Sequence, residues 1–309
     1  MGIAPSLVAA ESPDPLLDRQ WGLLAIGARE VWNQSTGLGV TVAIIDGGSG
    51  PHPDLDANLD PGHAFINGVE STDAADVGTH GTHVAGIVAA TNGNGIGISG
   101  VAPNARILPI RVFAEGSETS GSDDVALAIR FAVDAGVKVI NLSIGSNTED
   151  SRITAAVQYA VSKNVLVVAA AGNKKGEDTT PKWPAVDDNT LAVTAVDENK
   201  GVTTFDLRGE YIDLSAPGDA IWSTRRSNFT CPSFTPPAGY GCGNGTSFAA
   251  PFVSGAAALL FAARPQITAA QVRFLLTSTA IDLGDPGKDT TFGAGLLYLQ
   301  APFAAMNIM

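Results

Sequence analysis

The chain has 309 residues, 45% of them hydrophobic, and 31 acidic against 18 basic residues give it a formal charge of -13. That length and apolar content support one large α/β core, and no Pro/Ser/Gly-rich or charged linker splits the pattern in two. Lysines and arginines scattered over an acidic chain exclude a phosphate-binding face, and with it a nucleic-acid partner. The longest apolar stretches, residues 165–171 and 256–263, fall far short of the roughly 20 residues that cross a bilayer, so no membrane partner is expected.

In chain order, the opening Met1-Gly2-Ile3-Ala4-Pro5-Ser6 lacks the basic-then-apolar pattern of a secretory leader. The run 40–45 is the first near-continuous β-branched segment and leads directly into Asp46. Further runs follow at 107–112, 137–142, 165–169, 191–196 and 212–214. Continuous rather than alternating hydrophobicity suits parallel strands covered on both faces. Between them, 125–135 and 154–161 read as helices, the first with Ser122 as its cap and Asp123 and Asp124 in its opening turn. Strand, helix, strand in alternation predicts a doubly wound, mostly parallel sheet flanked by helices in a single domain. Functional groups then gather beyond the carboxyl ends of the strands. Asp46, Ser143 and Asn173, each directly after such a run, are placed along that edge. His80 and Ser247 open two further helical stretches rich in small residues.

A serine hydroxyl attacks a carbonyl only when a base takes its proton, and a histidine does so near neutral pH when a carboxylate fixes its tautomer. Asp46, His80 and Ser247 supply those parts, and the Asn173 amide with the Ser247 backbone N–H supplies donors for an oxyanion. The blocks Val42-Ala43-Ile44-Ile45-Asp46, His80-Gly81-Thr82-His83-Val84-Ala85-Gly86, Ala169-Ala170-Ala171-Gly172-Asn173 and Asn244-Gly245-Thr246-Ser247-Phe248-Ala249-Ala250-Pro251 resemble those of the subtilisin-like serine proteases, in that family's order. The resemblance runs from about Pro13 to Ala301, which makes residues 1–12 an N-terminal extension and 13–309 the peptidase domain.

The resemblance implies an endopeptidase that forms an acyl-enzyme on Ser247, with His80, not His83, as the catalytic imidazole. His83 packs within the helix. Peptide substrates are expected to lie extended between Ser143, Ile144 and Gly145 on one side and Ser120 and Gly121 on the other. Lys174, Lys175, Glu177 and Asp178 are candidates to line the pocket for the acyl-side side chain, and no spacing argument selects among them. The implied partners are protein or peptide substrates and a cleaved propeptide, for a monomeric enzyme.

Three positions depart from the family pattern. Gly47 stands where a Ser or Thr usually donates to the catalytic carboxylate, which raises the alternative of a non-catalytic relative that binds peptides. Phe248 replaces a methionine, removing an oxidisable thioether, and Ala250 replaces a hydroxyl residue before Pro251.

The Gly/Asn-rich stretch 92–98 resembles the family's calcium loop. By that resemblance Asn94 gives a side-chain oxygen, Asn92, Ile96 and Ile98 give main-chain oxygens, and Asp54 and Asp14 give carboxylates to a structural Ca²⁺. A plain Gly/Asn turn is the alternative. Cys231 and Cys242, the only cysteines, share a Pro/Gly-rich loop and suit one disulfide, with two free thiols as the other reading. The disulfide would accord with a secreted, extracellular protein.

Overall fold

In the computed structural model, which describes residues 13–117, 119–174, 176–226, 231 and 235–306, the apolar runs become the middle of one sheet. The expected extension 1–12 and the candidate Lys175 lie outside the described residues. The elements are α1 (Trp21–Ala25), β1 (Thr41–Asp46), β2 (His63–Ile66), β3 (Val69–Ser71), α2 (His80–Ala89), β4 (Arg106–Arg111), α3 (Ser122–Asp134), β5 (Val139–Leu142), α4 (Ser151–Ser162), β6 (Leu166–Ala170), β7 (Leu191–Val196), β8 (Leu214–Pro217), β9 (Ile221–Thr224), β10 (Tyr240–Gly243), α5 (Thr246–Ala263), α6 (Ala269–Ser278) and α7 (Gln300–Met306).

Eight strands pair in the order β3-β2-β4-β1-β5-β6-β7-β8, and only the β2–β3 pair is antiparallel. β9 and β10 form a separate antiparallel hairpin. Strand β1 has β4 on one side and β5 on the other, so the chain reverses its direction of winding at β1, where an open sheet leaves a crevice. Side chains alternate across β1. Val42 and Ile44 enter the core shared with α2, α5 and α6, whereas Ala43 and Ile45 enter the core under α3 and α4. Both faces are covered, which is why the strands read as continuous apolar runs.

Helix α5 is long and apolar enough to span a bilayer by composition alone, but it is packed into the first core, with Ala256, Ala257, Leu259 and Leu260 fully buried. Two local expectations need correction. Ser122 is the first residue of α3, not its cap: Gly121 occupies the cap position without a side-chain bond, and Asp124 turns away to accept the Asn67 and Gly68 amides at 2.8 Å each. The strand expected at 212–214, β8, begins only at Leu214, because Ile212 is still in the turn closed by its N–H on Gly209 O.

Cys231 and Cys242 are bonded. Cys242 lies on strand β10 instead of in a loop, so the bridge ties the connection between β9 and β10 back onto β10. By chain entropy a loop of this length contributes about 3 kcal/mol.

Candidate active site

Strand β1 ends on Asp46 at the reversal point, with the carboxylate almost fully buried. Its Oδ1 accepts the Gly47 N–H at 2.7 Å, and Oδ1 and Oδ2 lie 2.9 and 2.8 Å from His80 Nδ1. The main-chain donor of Gly47 thus meets the need that a hydroxyl at this position would serve. A buried carboxylate on Nδ1 leaves His80 Nε2 as the nitrogen able to take a proton.

His80 reaches Asp46 because α2 starts on it and is pressed onto the turn after β1. A β-carbon at Gly81 would overlap Gly48 O, so only glycine permits that approach. The Thr79 side chain does not cap α2. Asp76 does so from outside the helix: its Oδ2 accepts Thr82 N at 2.9 Å and Thr82 Oγ1 at 2.6 Å, and its Oδ1 accepts Gly78 N at 2.9 Å. Burial pulls the His80 imidazole down, but the charge and hydrogen bond of Asp46 outweigh it and Asp76 adds to the lift. The net result lies above the ordinary histidine value. With 41% of its side chain exposed, the ring remains open to the cleft. His83 differs in every respect. It is fully buried, and burial together with the Arg225 charge holds it well below the usual range, hence neutral, with Arg225 Nε donating to its Nδ1 at 3.0 Å.

Ser247 sits in the first turn of α5, after Gly245, whose φ of +147° demands glycine. Asn173, just beyond β6, accepts Thr246 N at 3.0 Å and Thr246 Oγ1 at 3.1 Å on Oδ1. Those two bonds fix the carboxamide, and with it the donor Nδ2. Ser143, just beyond β5, makes a reciprocal contact with Ser247: Ser143 Oγ donates to Ser247 O at 2.7 Å, and Ser247 Oγ donates to Ser143 O at 3.2 Å. The first bond has a covalent cause. Ser247 O would normally accept the N–H four residues on, but Pro251 has none, so Ser143 supplies the donor. Asn141 Nδ2 donates in turn to Ser143 Oγ at 2.9 Å, and Ser254 Oγ to Asn141 Oδ1 at 2.9 Å. For Ser247 to act on a carbonyl with His80 as its base, its hydroxyl would have to exchange Ser143 O for His80 Nε2; such contacts commonly tighten only when substrate binds.

Sequence comparison agrees with this geometry, since the model of the subtilase family matches residues 37–295. The chain belongs to the subtilase family. Subtilisin Savinase from Lederbergia lenta is 38% identical over 283 residues, which cover 91% of this chain and 97% of that protein. Thermitase from Thermoactinomyces vulgaris is 38% identical over 273 residues, covering 87% and 91%. A solved protease structure from Pseudoalteromonas arctica superposes with a TM-score of 0.83 at 32% identity, over 96% of this chain and 99% of that one. This subtilase is a subtilisin-like serine protease that acts on protein or peptide substrates.

Of the residues expected to hold substrate, Ser143, Ile144 and Gly145 follow β5, which stops at Leu142. Ser120 and Gly121 lie on the segment leading into α3, with Gly121 and Gly145 exposed. The residues expected to hold calcium also lie close together. Asp14 accepts Gly93 N at 2.9 Å and Gly95 N at 3.2 Å, and Asp54 accepts Asn94 Nδ2 at 2.7 Å and Ile98 N at 2.9 Å. Asp54 is fully buried, and that burial, with Asp14 adding a little, pushes it up to about 6. Ile96 is exposed and Asn92 half-buried on the same loop.

Sequence reading missed Asp76, Thr246, Asn141, Ser254 and Arg225 as parts of the subtilase site. Only Asp76 carried a local signal, an acidic residue shortly before a helix start without a capping side chain of its own.

Proposed function

We propose that this subtilase hydrolyses peptide bonds with Ser247 as nucleophile, His80 as general base and acid, Asp46 as the carboxylate that orients His80, and Asn173 as an oxyanion donor. The carrying observation is the paired contact of both Asp46 oxygens with His80 Nδ1 beside the first turn of α5. His80 Nε2 takes the proton as Ser247 Oγ attacks the carbonyl. The oxyanion is met by Asn173 Nδ2 and the Ser247 N–H. Imidazolium then protonates the leaving amine, and water, deprotonated by the same nitrogen, releases the acyl group. Extended substrate backbone is held between 143–145 and 120–121, which makes few demands on sequence.

A fluorophosphonate should label Ser247 stoichiometrically, and Ser247→Ala should lose kcat on the order of 10⁶-fold, a magnitude established in this family and not worked from this structure. Full proteolysis by Ser247→Ala would refute the assignment.

The oxygen-rich loop 92–98 supports a structural Ca²⁺. Among the described residues no group of three or more acidic, His or Cys side chains converges. The ligands would be the Asp14 and Asp54 carboxylates with amide oxygens of Asn92, Asn94, Ile96 and Ile98, a hard-oxygen set that fits calcium. Asn94 would present Oδ1 in place of the Nδ2 it now turns to Asp54. The ion would relieve two buried like charges and pin the N-terminal segment, where Leu16 N–H already bonds Gly97 O at 2.8 Å. The disulfide supports folding in an oxidising compartment, hence export.

A further inference from the structure

The buried side of the His80 helix carries an inference that rests on the catalytic reading above and deepens it. Hairpin β9–β10 is strapped along α2 by two hydroxyls: Ser223 Oγ donates to His83 O and Thr224 Oγ1 to Thr82 O, each at 2.7 Å. The strap lies close because residue 86 is glycine, where a β-carbon would overlap both hydroxyls. One residue after β9, Arg225 continues the hairpin pairing with its N–H on Gly239 O at 2.6 Å. Its side chain turns inward. Arg225 is 6% exposed, and its Nε donates to His83 Nδ1 at 3.0 Å. A guanidinium can only donate, so His83 Nδ1 accepts and that neutral ring carries its proton on Nε2. His83 follows His80 by one turn of α2. Both imidazoles pack on the Phe248 ring, with centroids 5.4 Å from it for His80 and 4.4 Å for His83.

We infer that Arg225 is a positioning residue for His80: fixed by the strap and by His83, it holds a permanent positive charge behind the catalytic imidazole and extends catalysis to lower pH. Among the described residues, four titratable or charged groups bear on His80. Asp46 at the end of β1 and Asp76 before α2 favour the imidazolium, and Arg225 disfavours it. His83 cannot answer by charging, because burial and Arg225 itself keep it neutral. A guanidinium stays charged at every working pH, so its opposition to the two acids does not fade as the solution is acidified. Burial also shields that charge from salt. The arrangement has a cost in rate. Some stabilisation of the imidazolium formed during attack is exchanged for a base that remains available in mild acid.

The test compares the unsubstituted enzyme with Arg225→Gln, which keeps a donor without the charge, and Arg225→Met, which keeps neither. For each, kcat/KM on a peptide p-nitroanilide is followed from about pH 5 to about pH 9 and normalised to fluorophosphonate titration. Both variants should move the midpoint of the acidic limb up by about half a unit or more, a roughly threefold loss on the limb, with the plateau equal or higher. A limb that stays or falls in both, or that rises in Arg225→Met alone and so reports the lost hydrogen bond, overturns the proposal. Ring-nitrogen NMR of Ser247→Ala, with Arg225 in place, decides even if neither variant folds. His83 should be the Nε2–H tautomer and should not titrate over the same range; an Nδ1–H tautomer or a titrating His83 overturns the proposal. Failure of the unsubstituted enzyme to label at Ser247 would strike the catalytic reading, whereas a labelled enzyme whose limb ignores Arg225 strikes this inference alone.

Discussion

The exchange between Ser143 and Pro251 can be tested as a thermodynamic coupling. Removing the Ser143 hydroxyl leaves two groups without their partner, the part-buried Ser247 carbonyl and the buried Asn141 Nδ2 amide. An unmet buried polar group costs about 1–3 kcal/mol, so Ser143→Ala should destabilise by about 3 kcal/mol. Pro251→Ala alone restores an N–H four residues after Ser247 and loses about 0.4–1 kcal/mol through the freer unfolded chain. In the double variant the restored N–H meets the Ser247 carbonyl, leaving only Asn141 short. Ser143→Ala should then cost about 1.5 kcal/mol less in the alanine-251 background than with proline present. The assay is urea unfolding followed by tryptophan fluorescence, with every variant carrying Ser247→Ala, which stops autolysis and keeps the main-chain oxygen concerned. Additivity to within about 0.5 kcal/mol would refute the account.

Three other outcomes follow from the same residues. The proposed mechanism needs neutral His80, whose pKa is lifted above the ordinary histidine value by Asp46 and, more weakly, by Asp76; kcat/KM should therefore fall as pH drops through that raised value. Asp76→Asn should move this acidic limb to lower pH, and a limb that stays or rises would count against the charge argument. Because Phe248 packs 5.4 Å from the His80 ring and offers no sulfur, the enzyme should keep its activity in hydrogen peroxide. Phe248→Met should lose activity in step with gain of one oxygen at that residue by mass spectrometry. Calcium at a hundredfold excess over its Kd should add about 2.7 kcal/mol, about 4 °C in Tm for a chain of this size, and excess chelator should remove the gain; a melting temperature indifferent to both would exclude the site.

Legibility in the sequence depended on whether an interaction is local. Asp46, His80, Asn173 and Ser247 each sit inside a block whose strand end or helix start is written in neighbouring residues, so the location of each could be read and a role proposed for it. The central strands were equally plain, because burial on both faces leaves unbroken apolar runs. Ser122 misled because a serine before an acidic pair has the composition of a cap, while Asp124 was drawn off by the distant β2–β3 turn. The packing of Lys182 against Gly145 and Gly172 was invisible for a related reason. Nothing near it in sequence says that Gly145 and Gly172 lack side chains at the same point in space. Hairpin β9–β10 was missed as well, since its strands are four residues each and β10 is half glycine.

The tolerance of this chain for Gly47, Phe248 and Ala250 follows from where its site takes its charge stabilisation. Helices α2 and α5 both begin at the cleft, so the positive ends of two peptide arrays face it. On the proposed mechanism, that end of α5 offers the Ser247 N–H to an oxyanion. At α2 the same field disfavours the imidazolium that catalysis requires, and the buried carboxylates of Asp46 and Asp76 oppose it, one on the ring and one on the first turn. These contributions come largely from main-chain N–H groups and from acids that the three departures leave in place. Gly47 even serves through its own amide. A side chain can be lost beside the nucleophile or the carboxylate without loss of the field, provided the two helix starts keep their positions; in this fold Gly81, Asp76 and the Ser143–Pro251 exchange hold them there.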